Sequence, residues 1–90
     1  MHFEWDPKKA ASNQHKHGVT FEEASSALRD LFSATARDPD HSDNEERFIT
    51  LGISTQGRLL MVSHRDRGNA IRIISARLAT NIERQIYEEG

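Results

Sequence analysis

Six residues able to move protons or bind phosphate charge lie between positions 64 and 77: His64, Asp66, Arg67, Arg72, Ser75 and Arg77. Histidine titrates near neutrality, with an ordinary pKa of about 6.5. Cleavage of a phosphodiester by its own neighbouring hydroxyl needs three things. One group takes the 2′-OH proton, another serves the leaving 5′ oxygen, and cations meet the charge that grows on phosphate. His64 and Asp66 suit the first two roles, and Arg67, Arg72 or Arg77 the third. Ser75 joins the set from its place on the same strand, and Lys8 and Lys16 remain open as alternative bases. The plainer reading makes His64 a strand-end histidine, Asp66 a turn former and the arginines a solvated strand face.

Other chemistries find less support. Cysteine is absent, which removes disulfides, thiolate catalysis and thiolate metal sites together. His15 and His17 flank Lys16, and two residues two apart on a helix point in different directions. We therefore expect no metal and no cofactor. No glycine-rich phosphate loop and no platform of aromatic rings is present, and Trp5 and Tyr87 read as core or partner contacts. Lys8, Lys9, Lys16 and His17 give the first helix a small positive face. With Arg47 and Arg65 they are candidate contacts to RNA phosphates; a solvated helix surface is the alternative.

The charge distribution is lopsided. Residues 1–46 hold 5 Lys/Arg against 10 Asp/Glu, while residues 47–84 hold 7 Arg against Asp66 and Glu83 alone, and the whole chain carries −2. Such asymmetry within one domain predicts a two-sided molecule. Arginine is the better phosphate clamp because its planar fork donates in pairs.

Ninety residues predict a single domain over 1–90 with a thin core. The longest apolar runs are strand-sized, and Met1-His2-Phe3-Glu4 lacks the features of a signal peptide. The expectation is a cytoplasmic protein that does not enter a membrane.

The elements that must position the candidates can be read in order. Phe3–Trp5 is a short edge strand. Asp6 caps a helix that starts at Pro7 and ends near His17, with Gly18 as its left-handed stop. Thr20 and Glu23 form a capping box, and Phe21, Ala24, Leu28 and Leu31 make the buried stripe of a second helix ending near Phe32. Ala34–Asp38 reads as a strand closed by Pro39. Asp38–Glu46, with five acids including Asp43, reads as a solvated loop. Three strands follow, over Arg47–Ser54, Arg58–Arg65 and Ala70–Arg77, joined by turns at Gln56-Gly57 and Asp66–Asn69. Simple alternation puts Ile71, Ile73, Ser75 and Arg77 on one face and Arg72 on the other, unless a bulge intervenes. Thr80 and Glu83 start a last helix in which Ala79, Ile82, Ile86 and Tyr87 face inward. The class is α+β: an antiparallel three- to four-stranded sheet plus the short N-terminal strand, with two N-terminal helices and a C-terminal helix.

The ordered segments resemble the BrnT toxin family. They are Phe3-Glu4-Trp5-Asp6-Pro7-Lys8-Lys9, then Asn13 with Lys16-His17-Gly18-Val19, Phe21 with Ala24, and Arg47 ahead of Leu51-Gly52. The run Ile71-Arg72-Ile73-Ile74-Ser75-Ala76-Arg77 follows, with Ala79, Glu83, Arg84 and Tyr87 after it. The resemblance implies a RelE-like fold and metal-independent RNA cleavage that blocks translation. It also implies neutralisation by a BrnA-type antitoxin in a mixed oligomer, with operator DNA reached only through the antitoxin. Two further readings stay open. The chain could be a corepressor subunit without catalysis, as its net negative charge would favour, or the Arg-bearing strands could bind DNA directly.

Overall fold

The computed structural model describes residues 1–41 and 45–90; the expected loop acid Asp43 lies outside the described residues. Two short helices open the chain after strand β1 (His2–Glu4): α1 (Pro7–His17) and α2 (Phe21–Leu28). Four strands follow, β2 (Ala34–Arg37), β3 (Phe48–Ile53), β4 (Leu59–Arg67) and β5 (Ala70–Leu78), and α3 (Asn81–Glu89) ends the chain. A single 3-10 turn covers Pro39–His41.

The helix ends form where short polar side chains meet free N–H groups. Asp6 accepts from Lys8 N, Thr20 from Glu23 N, and Thr80 with Glu83 completes a reciprocal capping box. Gly18 stops α1 at φ 68. One helix boundary differs from expectation, and β4 runs on through Asp66 to Arg67, two residues of the expected turn. α2 ends at Leu28 and not near Phe32. Asp30 Oδ1 accepts Phe32 N–H and folds the chain into a turn, which leaves Leu31 94% and Phe32 81% exposed.

The sheet has five strands in the order β1-β5-β4-β3-β2. β2 through β5 form the expected antiparallel meander, whereas β1 adds to the β5 edge in parallel, with Glu4 opposite Arg72. Gly68 and Asn69 alone link β4 to β5, and Gly68 at φ 61 supplies the left-handed residue that such a tight turn requires.

α1 and α2 cover one sheet face. The core there consists of Val19, Phe21, Ala24, Ala27, Leu60, Val62, Ile73 and Ala76, with Trp5 packed edge-on against Phe21 at 6.0 Å. Gly52 permits the closest approach: a Cβ there would sit 2.2 Å from the Ala27 carbonyl oxygen. Asn13 locks α1 to the β5 edge. Its amide nitrogen donates to Ala76 O (2.8 Å) and Val19 O (3.0 Å), and its oxygen accepts Ala76 N–H (3.0 Å). Glu23, buried in α2, takes Ser54 Oγ and the Arg58 guanidinium, and Arg58 also donates to Gly18 O. The Arg58 hydrogen bonds outweigh burial and hold the Glu23 carboxyl below its ordinary range.

His64 belongs to this packed face. Its Nε2 lies 2.7 Å from Thr50 Oγ1, which is itself 2.7 Å from Thr35 Oγ1, and its ring stacks on Phe48. Its Nδ1 has no hydrogen-bond partner among the described residues. Burial disfavours the imidazolium and lowers the His64 pKa from its ordinary 6.5, against a weaker opposing pull from Asp66.

α3 departs in part from the sequence expectation: Tyr87 faces inward as expected, but the two isoleucines do not. Ile82 and Ile86 are exposed (71% and 54%). Glu83 and Tyr87 hold the helix instead, Glu83 through a paired contact to Arg77 (2.8 and 2.9 Å) and Tyr87 through a hydrogen bond to the Asp30 carboxylate. That bond raises the Tyr87 pKa to about 12.

Two outcomes follow for stability. Asn13→Ala leaves the Ala76 N–H and C=O without partners in a dry edge and should cost about 2–4 kcal/mol in urea unfolding; a loss under about 0.5 kcal/mol would show that the clamp is dispensable. His64 stays neutral in the fold, so above pH 6.5 its burial carries no protonation penalty. As pH falls below 6.5 the unfolded chain takes up the proton first, and stability declines until the lower folded pKa is reached. Replacing it, as in His64→Gln, should flatten that decline between pH 6.5 and the onset of Glu23 protonation below 4.5. An identical slope in both proteins would contradict it.

Candidate active site on the uncovered sheet face

A bulge decides which candidates meet. Ser63 pairs with Ser75, but the next β4 residue, His64, pairs with Ile73, so Ile74 is an extra residue in β5. The slip reverses the alternation of β5 beyond that point. Arg77, Ser75 and Arg72 therefore share the face of their partners Met61, Ser63 and Arg65, while Ile73 and Ile71 turn to the helix side. The expected separation of Arg72 from Arg77 and Ser75 is thus overturned by the irregularity that would be needed to do it.

On this face, opposite α1 and α2, the strands place four arginines, Arg65, Arg67, Arg72 and Arg77, each ion-paired. It is uncovered around them, while farther along Leu59 of β4 and Leu51 of β3, a strand that α3 touches, are buried. Glu4 on β1 accepts from Arg72 Nη1 at 2.7 Å and from Arg67 Nη1 at 3.1 Å. Arg65 is held by Glu45, and so is Arg47 at 3.2 Å. Arg77 is bound to Glu83, whose carboxyl is thereby lowered while the guanidinium is raised. The two-sided charge expected from the sequence is consequently corrected: acids of the first half, Glu4, Glu23 and Glu45, fold onto arginines of the second. Of the described acids expected in a solvated loop, Asp40 and Glu46 are exposed, whereas Asp38 is buried and Glu45 half-buried.

The six residues chosen for chemistry divide into two groups. Arg67, Arg72, Ser75 and Arg77 share the uncovered face. His64 is 6% exposed beneath the helices and cannot meet a substrate held by those arginines. Asp66 stands on the same side as His64, exposed at the strand end. It lines a hollow with Glu45, Glu46, Phe48 and Arg65, and three carboxylates there oppose a phosphate. The expected His64–Asp66 acid–base pair is therefore not assembled at the arginine cluster. Burial accounts for it: period-two geometry sends His64 into the core with Val62 and Leu60.

Sequence reading missed Glu4. It stands far from the arginines in the chain, and only the parallel pairing of β1 with β5 brings it to Arg72. Lys8 and Lys16 are exposed on α1. Lys16 shares a shallow groove along the β5 edge with Lys9, Ser12, His17 and Ser75, whereas Lys8 does not line it. Among the described residues no group of three or more His, Asp or Glu side chains is placed to hold a metal ion, and no helix is long and apolar enough to cross a membrane.

The arrangement, a carboxylate set between two guanidiniums on an open sheet, can bind a phosphate and accept a proton beside it. The fold has a solved counterpart. The 1.1 Å crystal structure of the Brucella abortus ribonuclease toxin BrnT superposes with a TM-score of 0.65 at 25% identity, over 90% of this chain and 99% of that one. No curated protein sequence matches the chain. Residues 5–83 match the family model described as the ribonuclease toxin BrnT of type II toxin–antitoxin systems. From Trp5 to Glu83, then, the chain belongs to the BrnT family of ribonuclease toxins.

Proposed function

We propose that this protein is an active, metal-independent endoribonuclease that cleaves RNA and so inhibits translation, and that a BrnA-like antitoxin silences it. The observation that carries the reading is the Glu4–Arg72–Arg67 cluster on the uncovered sheet face. The scissile phosphate exchanges with Glu4 for the two guanidiniums, which then face the charge that develops on phosphorus. Glu4, displaced by one bond length or so but still beside the phosphate, takes the proton of the ribose 2′-OH. The 2′ oxygen bonds to phosphorus, the bond to the 5′ oxygen breaks, and water supplies the proton that the 5′ oxygen takes up. The products are a 2′,3′-cyclic phosphate and a free 5′-hydroxyl. Arginines Arg67 and Arg72 supply the positive charge that a metal ion gives other nucleases. Ser75 and Arg77, on the same face, extend the contact surface, and Asp66 and His64 are left out of the chemistry.

The partner part of the reading rests on uncovered apolar side chains. Leu31, Phe32, Ile82 and Ile86 stand in water, and Leu31 and Phe32 adjoin the end of α3 at Tyr87. Such residues are the anchors that protein interfaces use. Operator DNA would be reached through that antitoxin.

The test is cleavage of a defined RNA by folded protein in excess EDTA, with the new ends identified. Cyclic phosphate ends are expected. No cleavage by folded protein, either free or on translating ribosomes, would favour the corepressor reading. Arg72→Ala should lower the rate by about 100- to 1,000-fold and remove growth inhibition while the chain stays folded. Glu4→Gln keeps an oxygen for the arginines but no base, and should lower cleavage at least about 100-fold. Full activity in a folded Glu4→Gln protein would remove Glu4 from the mechanism.

A further inference from the structure

We infer that the groove between α1 and the edge of β5 is a track for the phosphodiester backbone of single-stranded RNA on its way to the arginine cluster; the inference rests on the ribonuclease reading above. The groove is lined by Lys9, Ser12, Lys16, His17 and Ser75, with Asn13 and Ile74 at its floor, and no carboxylate borders it.

Three observations point to phosphate. The first is the state of the cations. Every arginine of β4 and β5 is tied to a glutamate, whereas among the described residues Lys9 and Lys16 have no ion-pair partner. They are the cations that can take up a phosphate without releasing a carboxylate. Lys16 lies in the last turn of α1, where the backbone carbonyls leave partial negative charge and favour a positive side chain, while Lys9 stands in the first turn at the other end of the groove.

The second is rigidity. Asn13 anchors α1 to the Ala76 backbone with bonds of 2.8 and 3.0 Å, so the two walls of the groove hold a constant separation. A preformed groove spares a ligand the cost of ordering it.

The third is continuity. Ser75 borders the groove and shares the uncovered face with Arg72. Two residues, Ile73 and the bulged Ile74, lie between them, a separation of at most about 10 Å at the rise of an extended strand. An extended RNA strand can therefore rest one phosphate on Arg72 and Arg67 and pass its neighbours along Ser75 to Lys16 and Lys9. Hydroxyls from Ser12 and Ser75 can donate to phosphate oxygens on the way. No base edge is read in such a track, so it adds affinity that does not depend on base identity.

The test separates binding from cleavage by using a 2′-O-methyl oligoribonucleotide, which lacks the attacking hydroxyl. Its affinity is measured across a series of salt concentrations for the parent protein, for Lys8→Gln and for the double variant Lys9→Gln/Lys16→Gln. Both groove lysines are exposed, so thermal unfolding of the double variant should match the parent. Its affinity at low salt should fall roughly tenfold. Its salt slope should shrink by about 1.4, since each phosphate that a lysine no longer neutralises removes about 0.7. Lys8→Gln, off the groove, should leave the slope as in the parent. Cleavage of ordinary RNA is followed in parallel. A parent that cleaves RNA, with affinity and slope unchanged in the folded double variant, would overturn the track and leave the ribonuclease reading standing. If the variant instead loses affinity for antitoxin alone, the groove is a site for an acidic peptide and the inference is wrong. A folded parent that neither binds nor cleaves would sink both.

Discussion

The amide of Asn13 is the contact on which the working edge of this protein depends. β1 covers β5 only over Ala70–Arg72, and beyond that the strand edge has no strand beside it. At Ala76 the Asn13 side chain takes the place of a strand, donating to the carbonyl and accepting the N–H as a neighbouring backbone would. A buried edge without it would leave unpaired peptide groups, each costing about 1–3 kcal/mol. The same side chain reaches Val19 O and so sets the turn from α1 into α2, whose Phe21 and Ala24 fill the core. One amide thus fixes α1 against the sheet and closes the edge. The Ile74 bulge lies between the segment held by β1 and the segment held by Asn13, where neither partner enforces a continuous register.

That bulge is why the arginines meet. Without it, alternation would carry Arg72 to the helix side, into the apolar core where an unpaired guanidinium is costly, and would turn Ile73 out of that core. With it, the hydrophobic phase changes along β5: Ala76 faces the helices before the slip and Ile73 after it. Burial of Ile73 and exposure of Arg72 are thus one choice of register, favoured by both side chains. The same alternation, unbroken in β4, carries His64 inward and Arg65 outward.

Much of this was legible in the chain. Caps at Asp6, Thr20 and Thr80 are local events between residues two or three apart, and they placed the helix starts correctly. Gly18, Gly57 and Gly68 have positive φ at the places where the chain turns. What escaped was decided at long range. The end of α2 depends on Asp30, whose second carboxylate oxygen is committed to Ile53 N–H, in a strand read separately. The face that α3 presents depends on Arg77 and Asp30 taking hold of Glu83 and Tyr87; its apolar period was visible, but not that polar tethers would win over Ile82 and Ile86. Glu4 looked like an ordinary residue of a short strand, because its meaning comes from a parallel pairing with residues near the other end of the sequence. His64 looked reactive because histidine near arginine suits catalysis, and nothing in its own neighbourhood announced a Thr50 partner and a Phe48 ring.

The pairing of every sheet arginine with a glutamate also explains how an acidic chain can present a phosphate site. Four guanidiniums crowded on one face without counterions would repel one another and weaken the fold. Held by Glu4, Glu45 and Glu83 they do not, and the net charge of the chain stays at −2. These pairs are partly solvated, with Arg67 59% and Arg72 26% exposed, so each is worth at most about 1 kcal/mol and gives way readily to a stronger ligand. A phosphate offers more acceptor oxygens than a carboxylate and can engage two guanidiniums at once. The exchange therefore favours substrate over Glu4 while leaving the carboxylate beside the reacting hydroxyl. Arg58 differs in kind: its partner Glu23 is 4% exposed and bonded to Ser54 as well, a pairing too buried to open for a ligand, and it serves to hold the β3–β4 turn against α2. Burial of the glutamate partner, more than exposure of the arginine, separates the arginines free to work from the one that holds the fold: the Glu23 side chain is 2% exposed and that of Glu4 30%.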